Sequence, residues 1–539
     1  MSGPAPRAGA LGAVPPRDDP SSHGVTPRVI DRGTTYTRVA SLPLALGGLV
    51  VLAFATRLIG LDGGLWVDEI YSLVRSFRAP IGTILTEFWG DNHHPFYAVL
   101  AHASRALFGE TPWAVRLPAM LMGVAAIPML YALGTTVVRQ REALLAALLL
   151  AVSYHHVWFS QNARGYSAIA LVAIVTMWAF LRGVATGERR YFVLYGVVAG
   201  LGAYTHLTVV FVVVGHALAA LLLLAAPGAT IDRRALVRGG LVAFGLGAAV
   251  TLALYAPMLG QVTDFFLHRP SQLRGVSTPR WAFVETIRVL VLGLGAGLAL
   301  VGGTVLAAGV VVGASGLAAL WRRNRLFVLM LAGPCVATVA GAALARGTMY
   351  PRFFFFAIGP AMLLAVRGAY SVCSWISRRA GRAALGEPLA TGGIVIVVLL
   401  SAASLSFNYR YPKQDFEGAM RVVLAERAPG DAVVTTGLPA DPYRMLYGQA
   451  WGNLTTAAEL DSVRRGSART WILWTFPRYL ERHAPEIDRI LHDECPERRT
   501  FRGTVGGGDV LLCALPALGP ASAPAPGAAA PPSVPVPPQ

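Results

Sequence analysis

Asp68 and Glu69 stand side by side in "LWVDEIYSLVRSF" (65–77), among aromatic and aliphatic residues and directly after the first strongly apolar segment. On a helix, Trp66, Ile70, Leu73 and Phe77 line one face. Asp68, Ser72, Arg75 and Ser76 gather on the other, with Glu69 at its border. This is the pattern of an amphipathic helix resting in a membrane interface. Adjacent acids point about 100° apart, so they do not share one proton as an aspartic dyad does. One is expected to be chemical and the other structural. A plainer alternative is a surface helix on which Arg75, two turns along, simply pairs with Asp68.

Further chemistry-bearing residues lie in three other segments. "GDNHHPFYAVLAH" sets His93 and His94 just before a proline that opens the next helix. Asp91, His93 and His94 are suitable metal-ligand types, but their spacing matches no common zinc motif. Contact with an anion or a donor is the preferred reading for the histidines, and a divalent metal is possible but not favoured. "FSQNARGYSA" (159–168) brings Arg164 and Tyr166 to the outer mouth of two apolar runs, and "MYPRFFFF" (349–356) places Arg352 at the outer end of a helix. An arginine at a membrane boundary is costly without a partner. Two such arginines on the same side as a carboxylate suggest an anionic group held near a base. For either one alone, snorkelling to lipid phosphate is the alternative.

The elements that must position these residues are membrane helices. The chain is 54% hydrophobic and only 14% charged over 539 residues, whereas soluble domains carry about 25% charged residues. About eleven spans are expected, at about 41–59, 113–138, 142–158, 166–184, 191–206, 207–226, 236–257, 292–320, 326–345, 352–373 and 391–407. The run 96–108 is too short to cross and is read as a helix on the outer surface. The net charge of +17 sits largely in short arginine clusters such as "RQR", "IDRR" and "WRRNR" between spans. That is the distribution of cytoplasmic loops, and without interleaved aromatic platforms it disfavours nucleic acid. It places the N-terminus inside and the C-terminus outside, in a multi-pass protein of the cell membrane.

Residues 1–38 read as a disordered arm without the order of a signal peptide, so the first span is read as retained. Residues 39–407 form the membrane module, with 61–112 as its first outer loop. Residues 408–515, with strand candidates at 431–437, 470–476 and 509–515 between helical patterns, read as a small extracytoplasmic α/β domain. A Pro/Ala-rich tail fills 516–539. Cys335 and Cys373 are expected to pack in apolar runs, and Cys495 and Cys513 can pair if their region faces an oxidising compartment.

The order of motifs has a parallel. A first span, a W-x-D-E helix, an H-x-P-x-Y helix, "VRLPAMLMG" (115–123), "SQNARGY" and a late "PRFFFFAIGP" resemble the GT-C membrane glycosyltransferases. Within them, the likeness is to the glycosyltransferase family 39-like branch of protein O-mannosyltransferases and lipid A aminoarabinose transferases. The resemblance covers about 40–515, and "YPKQDFEGAMRVVLAERAPGDAVV" (411–434) is similar to the start of the extracytoplasmic domain of many bacterial members. It implies a polyprenyl-phosphate-linked sugar donor used at the outer face, with a cell-envelope glycan, lipid or protein as acceptor and membrane lipids as further partners. It also implies Asp68 as general base, with Arg164 and Arg352 at the lipid phosphate. The expected site is therefore Asp68 and Glu69 as the catalytic pair, and His93, His94, Arg164, Tyr166 and Arg352 on the donor side.

Two departures stand out. Asn162 occupies a place where the family commonly has an acid, which weakens a metal at that loop, and Gly165 replaces a bulkier residue. An acceptor hydroxyl attacking the anomeric carbon needs a base, and a phosphate leaving group needs only positive charge, so no nucleophilic side chain or redox cofactor is required. A single in-line displacement inverts the anomeric centre. Rival readings are a flippase or transporter of lipid-linked sugars, which places its charges near the bilayer midplane, and a catalytically inactive envelope scaffold.

Overall fold

The structure is a computed structural model that describes residues 42–90, 92–226, 232–268, 299–344, 349–495 and 497–518, together with Gly3 and Val284. The expected N-terminal arm beyond Gly3, Asp91, the start of the span at 292–320 and the tail after 518 lie outside the described residues.

Helices dominate. The membrane-facing part comprises α1 (Leu42–Leu58), α2 (Val67–Ser72), α3 (Ile81–Thr86), α4 (Pro95–Phe108), α5 (Pro112–Val137), α6 (Gln140–Ala151), α7 (Tyr154–Ser160) and α8 (Tyr166–Thr186). It continues through α9 (Arg189–Thr205), α10 (Val209–Ala225), α11 (Arg233–Tyr255), α12 (Leu259–Leu267), α13 (Ala299–Arg323), α14 (Arg325–Leu344), α15 (Ile358–Arg379) and α16 (Gly386–Arg410). Among the described residues, seven helical segments are long and apolar enough to cross a membrane, or eight if the bent pair α6–α7 is one span. The sequence suggested about eleven. The difference lies in α1, α9 and α10, which have 17 residues each and so reach only about 25 Å. The hydrocarbon core is about 30 Å thick.

Small residues let these helices approach closely. A Cβ on Gly215 of α10 would fall 2.1 Å from the Pro334 nitrogen of α14, the close backbone packing that membrane interiors favour. The 58° bend between α6 and α7 has a local cause. Arg57 Nη1 donates to the Ala151 carbonyl at 3.0 Å and Ser401 Oγ to that of Val152 at 3.0 Å. The carbonyls released by the break are thereby satisfied. Ser153 caps the restart by accepting from the His156 N–H.

After α16 comes a sheet domain with α17 (Phe416–Glu426), α18 (Ala440–Met445), α19 (Ala457–Arg465), α20 (Pro477–His483) and α21 (Pro485–Asp493). Its strands are β1 (Ala432–Thr436), β2 (Gly452–Leu454), β3 (Arg469–Thr475), β4 (Arg499–Phe501) and β5 (Val510–Pro516), in spatial order β2-β1-β3-β5-β4. β1 runs parallel to β2 and β3, and β5 is antiparallel to β3 and β4. The three strands expected from sequence are the central ones. The two it did not suggest, β2 and β4, are three-residue edge strands. Cys495 and Cys513 form a disulfide. One face of the sheet and α17 share an apolar cluster with Leu65, Trp66, Val67, Ile70, Leu73 and Phe77, so the domain packs directly on the loop that carries the two acids.

Candidate active site

Helix α2 begins where Trp66 is extended and Glu69 folds back to accept the Trp66 N–H at 3.3 Å, the glutamate half of a capping box. The same carboxylate accepts from Arg116 Nε at 2.8 Å and Nη2 at 2.6 Å, and from the Ala163 N–H at 2.6 Å. Arg116 spends its remaining N–H groups on the carbonyls of Leu61, Gly63 and Gly64. Glu69 is fully buried and Arg116 nearly so. Burial pushes the Glu69 carboxyl up, but the charge and hydrogen bonds of Arg116, the Lys413 charge and the Ala163 N–H outweigh it and hold it below the usual range. This geometry anchors the loop and gives Glu69, expected from sequence as half of the catalytic pair, no access to a substrate.

Asp68 points elsewhere. Its side chain keeps 21% exposure, and Arg352 Nη1 stands 4.0 Å from its Oδ2. The alternative partner, Arg75, lies over the rings of Tyr71 and Trp89, at 5.4 and 5.6 Å from their centroids. The reason is local. Residues Leu73–Phe77 are π-helical, with the Arg78 N–H bonded to the Leu73 carbonyl at 3.0 Å, which breaks the 100° progression after Ser72. Ser72 and Ser76, placed by sequence on the polar face with Asp68, are buried. Ser72 Oγ accepts from Arg164 Nη1 at 2.8 Å, and Ser76 Oγ accepts from Trp89 Nε1 at 2.9 Å.

Arg164 thereby docks on the same helix as Asp68, one turn later. It also donates to the backbone carbonyl and the side-chain oxygen of Asn92. The loop that presents it is held by Gln161, whose Nε2 donates to the carbonyls of Arg57 and Ile59 and whose Oε1 accepts from Asn408. Asn162, standing where an acid was noted as missing, accepts from Trp66 Nε1 at 3.2 Å. Among the described residues no group of three or more His, Cys, Asp and Glu side chains is placed to hold a metal ion.

His94 Nδ1 accepts the Gly165 N–H at 2.9 Å. That bond assigns the hydrogen to Nε2, which sits 3.2 Å from Arg164 Nη2. Two donors thus face one space. A Cβ on Gly165 would lie 2.9 Å from His94 Nδ1 and 2.9 Å from Thr205 Cγ2, so the absent side chain is what lets the histidine in. His93 is stacked on Trp89 and tilted against Phe88. Burial and the nearby Arg164 charge lower its pKa to about 4. Burial, Arg164 and His206 likewise hold His94 well below its ordinary value. Both imidazoles are neutral at physiological pH. Tyr166 is buried and packs its ring beside His94 and His206.

The structure therefore gathers Asp68, His93, His94, Arg164, Tyr166 and Arg352 around α2 and moves Glu69 beneath it. Sequence reasoning missed Arg116, Asn92 and Gln414. For Arg116 a signal existed, since an arginine inside the apolar run of α5 needs a buried partner. Asn92 and Gln414 carried none.

Residues 92–260 match the family model described as dolichyl-phosphate-mannose-protein mannosyltransferase. The match thus covers both histidines and Arg164. No curated protein sequence matches the chain. Among solved structures, ArnT from Cupriavidus metallidurans in the apo state is 14% identical and aligns over 88% of this chain and 98% of its own, with a TM-score of 0.50. The oligosaccharyltransferase AglB from Archaeoglobus fulgidus, in complex with an inhibitory peptide and a dolichol-phosphate, is 13% identical over 87% of this chain and 74% of its own, with a TM-score of 0.49. At such identities the ArnT likeness speaks for the fold. Together with the apolar helices, it gives this chain the fold of the polytopic GT-C membrane proteins, with residues 92–260 similar to the mannosyltransferase family model.

Proposed function

We propose that the chain is an inverting glycosyltransferase. It moves a hexose or pentose from a polyprenyl-phosphate donor to a cell-envelope acceptor at the extracytoplasmic face, with Asp68 as general base. The observation that carries this reading is the setting of Asp68. It is a partly open carboxylate 4.0 Å from Arg352, on a helix whose next turn holds Arg164 through Ser72. The base and the positive charge for a leaving phosphate thus share one short element. The name of the matched family supports a lipid-phosphate sugar as the donor.

In this reading Asp68 takes the proton of the acceptor hydroxyl as its oxygen bonds to the anomeric carbon. The bond from that carbon to the phosphate oxygen breaks, and its electron pair leaves with the polyprenyl phosphate. Arg164 and Arg352 stabilise the charge that develops there, and the Nε2–H of neutral His94 adds a hydrogen bond without adding charge. The displacement is in line, so the configuration inverts. The disulfide Cys495–Cys513 and the arginine clusters of the opposite loops support an oxidising, outer position for the sheet domain.

The test is release of polyprenyl phosphate from a panel of polyprenyl-phosphate sugars by the purified protein, with cell-envelope extract as acceptor, beside the Asp68→Asn variant. Acceptor-dependent release by the parent, lost in the variant while donor binding persists, is the expected result. Absence of release from every donor, with both proteins folded, overturns the reading in favour of lipid-linked sugar transport or a scaffold.

A further inference from the structure

In open α/β sheets, ligands usually bind outside the carboxyl ends of the parallel strands, at the crevice where the strand order reverses. Here the chain passes from β1 outward to β2 and then back across to β3, so that crevice lies between β1 and β3. The neighbouring end of the sheet, at the last residue of β3 and the turn into β5, already has an occupant. Gln414 is buried at the end of β3, where its Nε2 donates to Thr475 Oγ1 at 3.1 Å and to the Gly508 carbonyl at 2.9 Å. Its Oε1 accepts the backbone N–H of Val67, the first residue of α2, at 2.9 Å. Beyond the end of β1, Asp441 of α18 accepts from the phenol of Tyr71 at 2.5 Å. These two bonds grip α2 on either side of Asp68.

We propose that the C-terminal domain uses this edge on its own chain, as the seat of the catalytic helix, and that Gln414 is a positioning residue for Asp68. An unsatisfied N–H in the first turn of a short helix frays it. Gln414 removes that freedom with an amide whose donors are both fixed to the sheet. Around Asp68, Val67 is tied to Gln414, Glu69 to Arg116, Tyr71 to Asp441 and Ser72 to Arg164. Every tie but that of Asp68 is structural. The catalytic consequence rests on the assignment of Asp68 as base; the mechanical one does not.

The experiment uses full-length protein and the variants Gln414→Ala, Gln414→Glu and Tyr71→Phe, and reads three quantities. Backbone hydrogen exchange of residues 66–72 reports the helix. Binding of free polyprenyl phosphate reports the phosphate site, and turnover reports the chemistry. Gln414→Ala is expected to speed exchange in that segment and to lower kcat roughly 10- to 100-fold, with polyprenyl phosphate affinity within about twofold, since Arg164 is held separately by Ser72 and Asn92. Gln414→Glu keeps the acceptor for Val67 and is expected to recover part of both losses. It also serves if the alanine variant does not fold. Unchanged exchange at 66–72 in Gln414→Ala and Tyr71→Phe overturns the proposal. So does a rise in acceptor KM alone, which assigns the edge to the acceptor instead. Faster exchange in the variants of a protein whose parent transfers no sugar upholds the positioning and defeats the transferase reading.

Discussion

Arg352 Nη1 and Asp68 Oδ2 stand 4.0 Å apart, too far for a committed hydrogen bond and close enough for each charge to feel the other. A base locked in a tight ion pair would be a poor proton acceptor, and one with no cation nearby would be far from the leaving phosphate. The spacing suits a pair that a substrate enters. Removing the carboxylate charge by Asp68→Asn should lower turnover by about 100-fold or more, with thermal stability close to that of the parent. Arg352→Gln should weaken both turnover and polyprenyl phosphate binding. Equilibrium binding, measured beside single-turnover rates, separates the two.

Glu69 predicts the opposite pattern. Its ion pair with Arg116 is sealed from water, and breaking such a pair by removing one partner leaves an uncompensated buried charge that costs about 3–5 kcal/mol. Arg116→Ala should therefore sharply lower the unfolding temperature in detergent, whereas Asp68→Asn should not. The sign with pH follows from the depressed Glu69 carboxyl. Its stabilisation is present above the unfolded carboxylate pKa of about 4.3 and fades as pH falls below it. A stable Arg116→Ala protein would show that this carboxylate is not the anchor described above.

Legibility in the sequence followed the range of the interactions. The membrane character and most of the spans were readable because hydropathy accumulates over some 20 local residues. The closeness of Asp68, Arg164 and Arg352 could be anticipated because charge at the rim of an apolar run needs a partner. The division of labour between Asp68 and Glu69 could be stated only as a rule that one acts and one holds. That Glu69 is the one that holds depends on Arg116, 47 positions away. The expected Asp68–Arg75 geometry failed because a helical wheel assumes uniform α-helix, and a π-helical turn intervenes at Leu73–Phe77. Gln414 was invisible. Its partner Val67 is 347 residues distant and contributes only a backbone N–H, which has no residue type to recognise.

Lys413, the sole lysine of the chain, gives a second pH test. It is buried 4.4 Å from the Trp158 ring centroid. Burial first, and then the Arg116 charge, lower its pKa to about 7, against some support from Glu69. The unfolded chain binds this proton up to about pH 10.4, so between about 7 and 10.4 it holds more protons than the folded one. Stability should consequently rise with pH across that window and be flat, as far as this group is concerned, below it. Lys413→Met should remove the slope and be at least as stable as the parent at pH 7. Chemical denaturation of both proteins at several pH values, below the range where the arginines titrate, checks it. A slope that persists in the variant would assign it to other groups.

Gly165 offers the most selective probe of the donor side. Its N–H holds His94 through Nδ1, and the space a methyl group would need is taken by that same ring and by Thr205. Gly165 has φ −73, which any residue accepts, so alanine would introduce no backbone strain. The effect of Gly165→Ala should therefore come from displacing Thr205 and, above all, the imidazole, which turns Nε2–H away from the space it shares with Arg164. Polyprenyl phosphate affinity should fall by roughly tenfold, the scale of one hydrogen bond to a charged group. The fold should remain intact, because Arg164 keeps its bonds to Ser72 and Asn92. His94→Ala should lower affinity similarly, and adding Gly165→Ala to it should cost less than it does alone, since the ring's place is then vacant and only Thr205 must yield. Additive losses in the double variant would mean that Gly165 acts on the donor by a route that does not pass through His94.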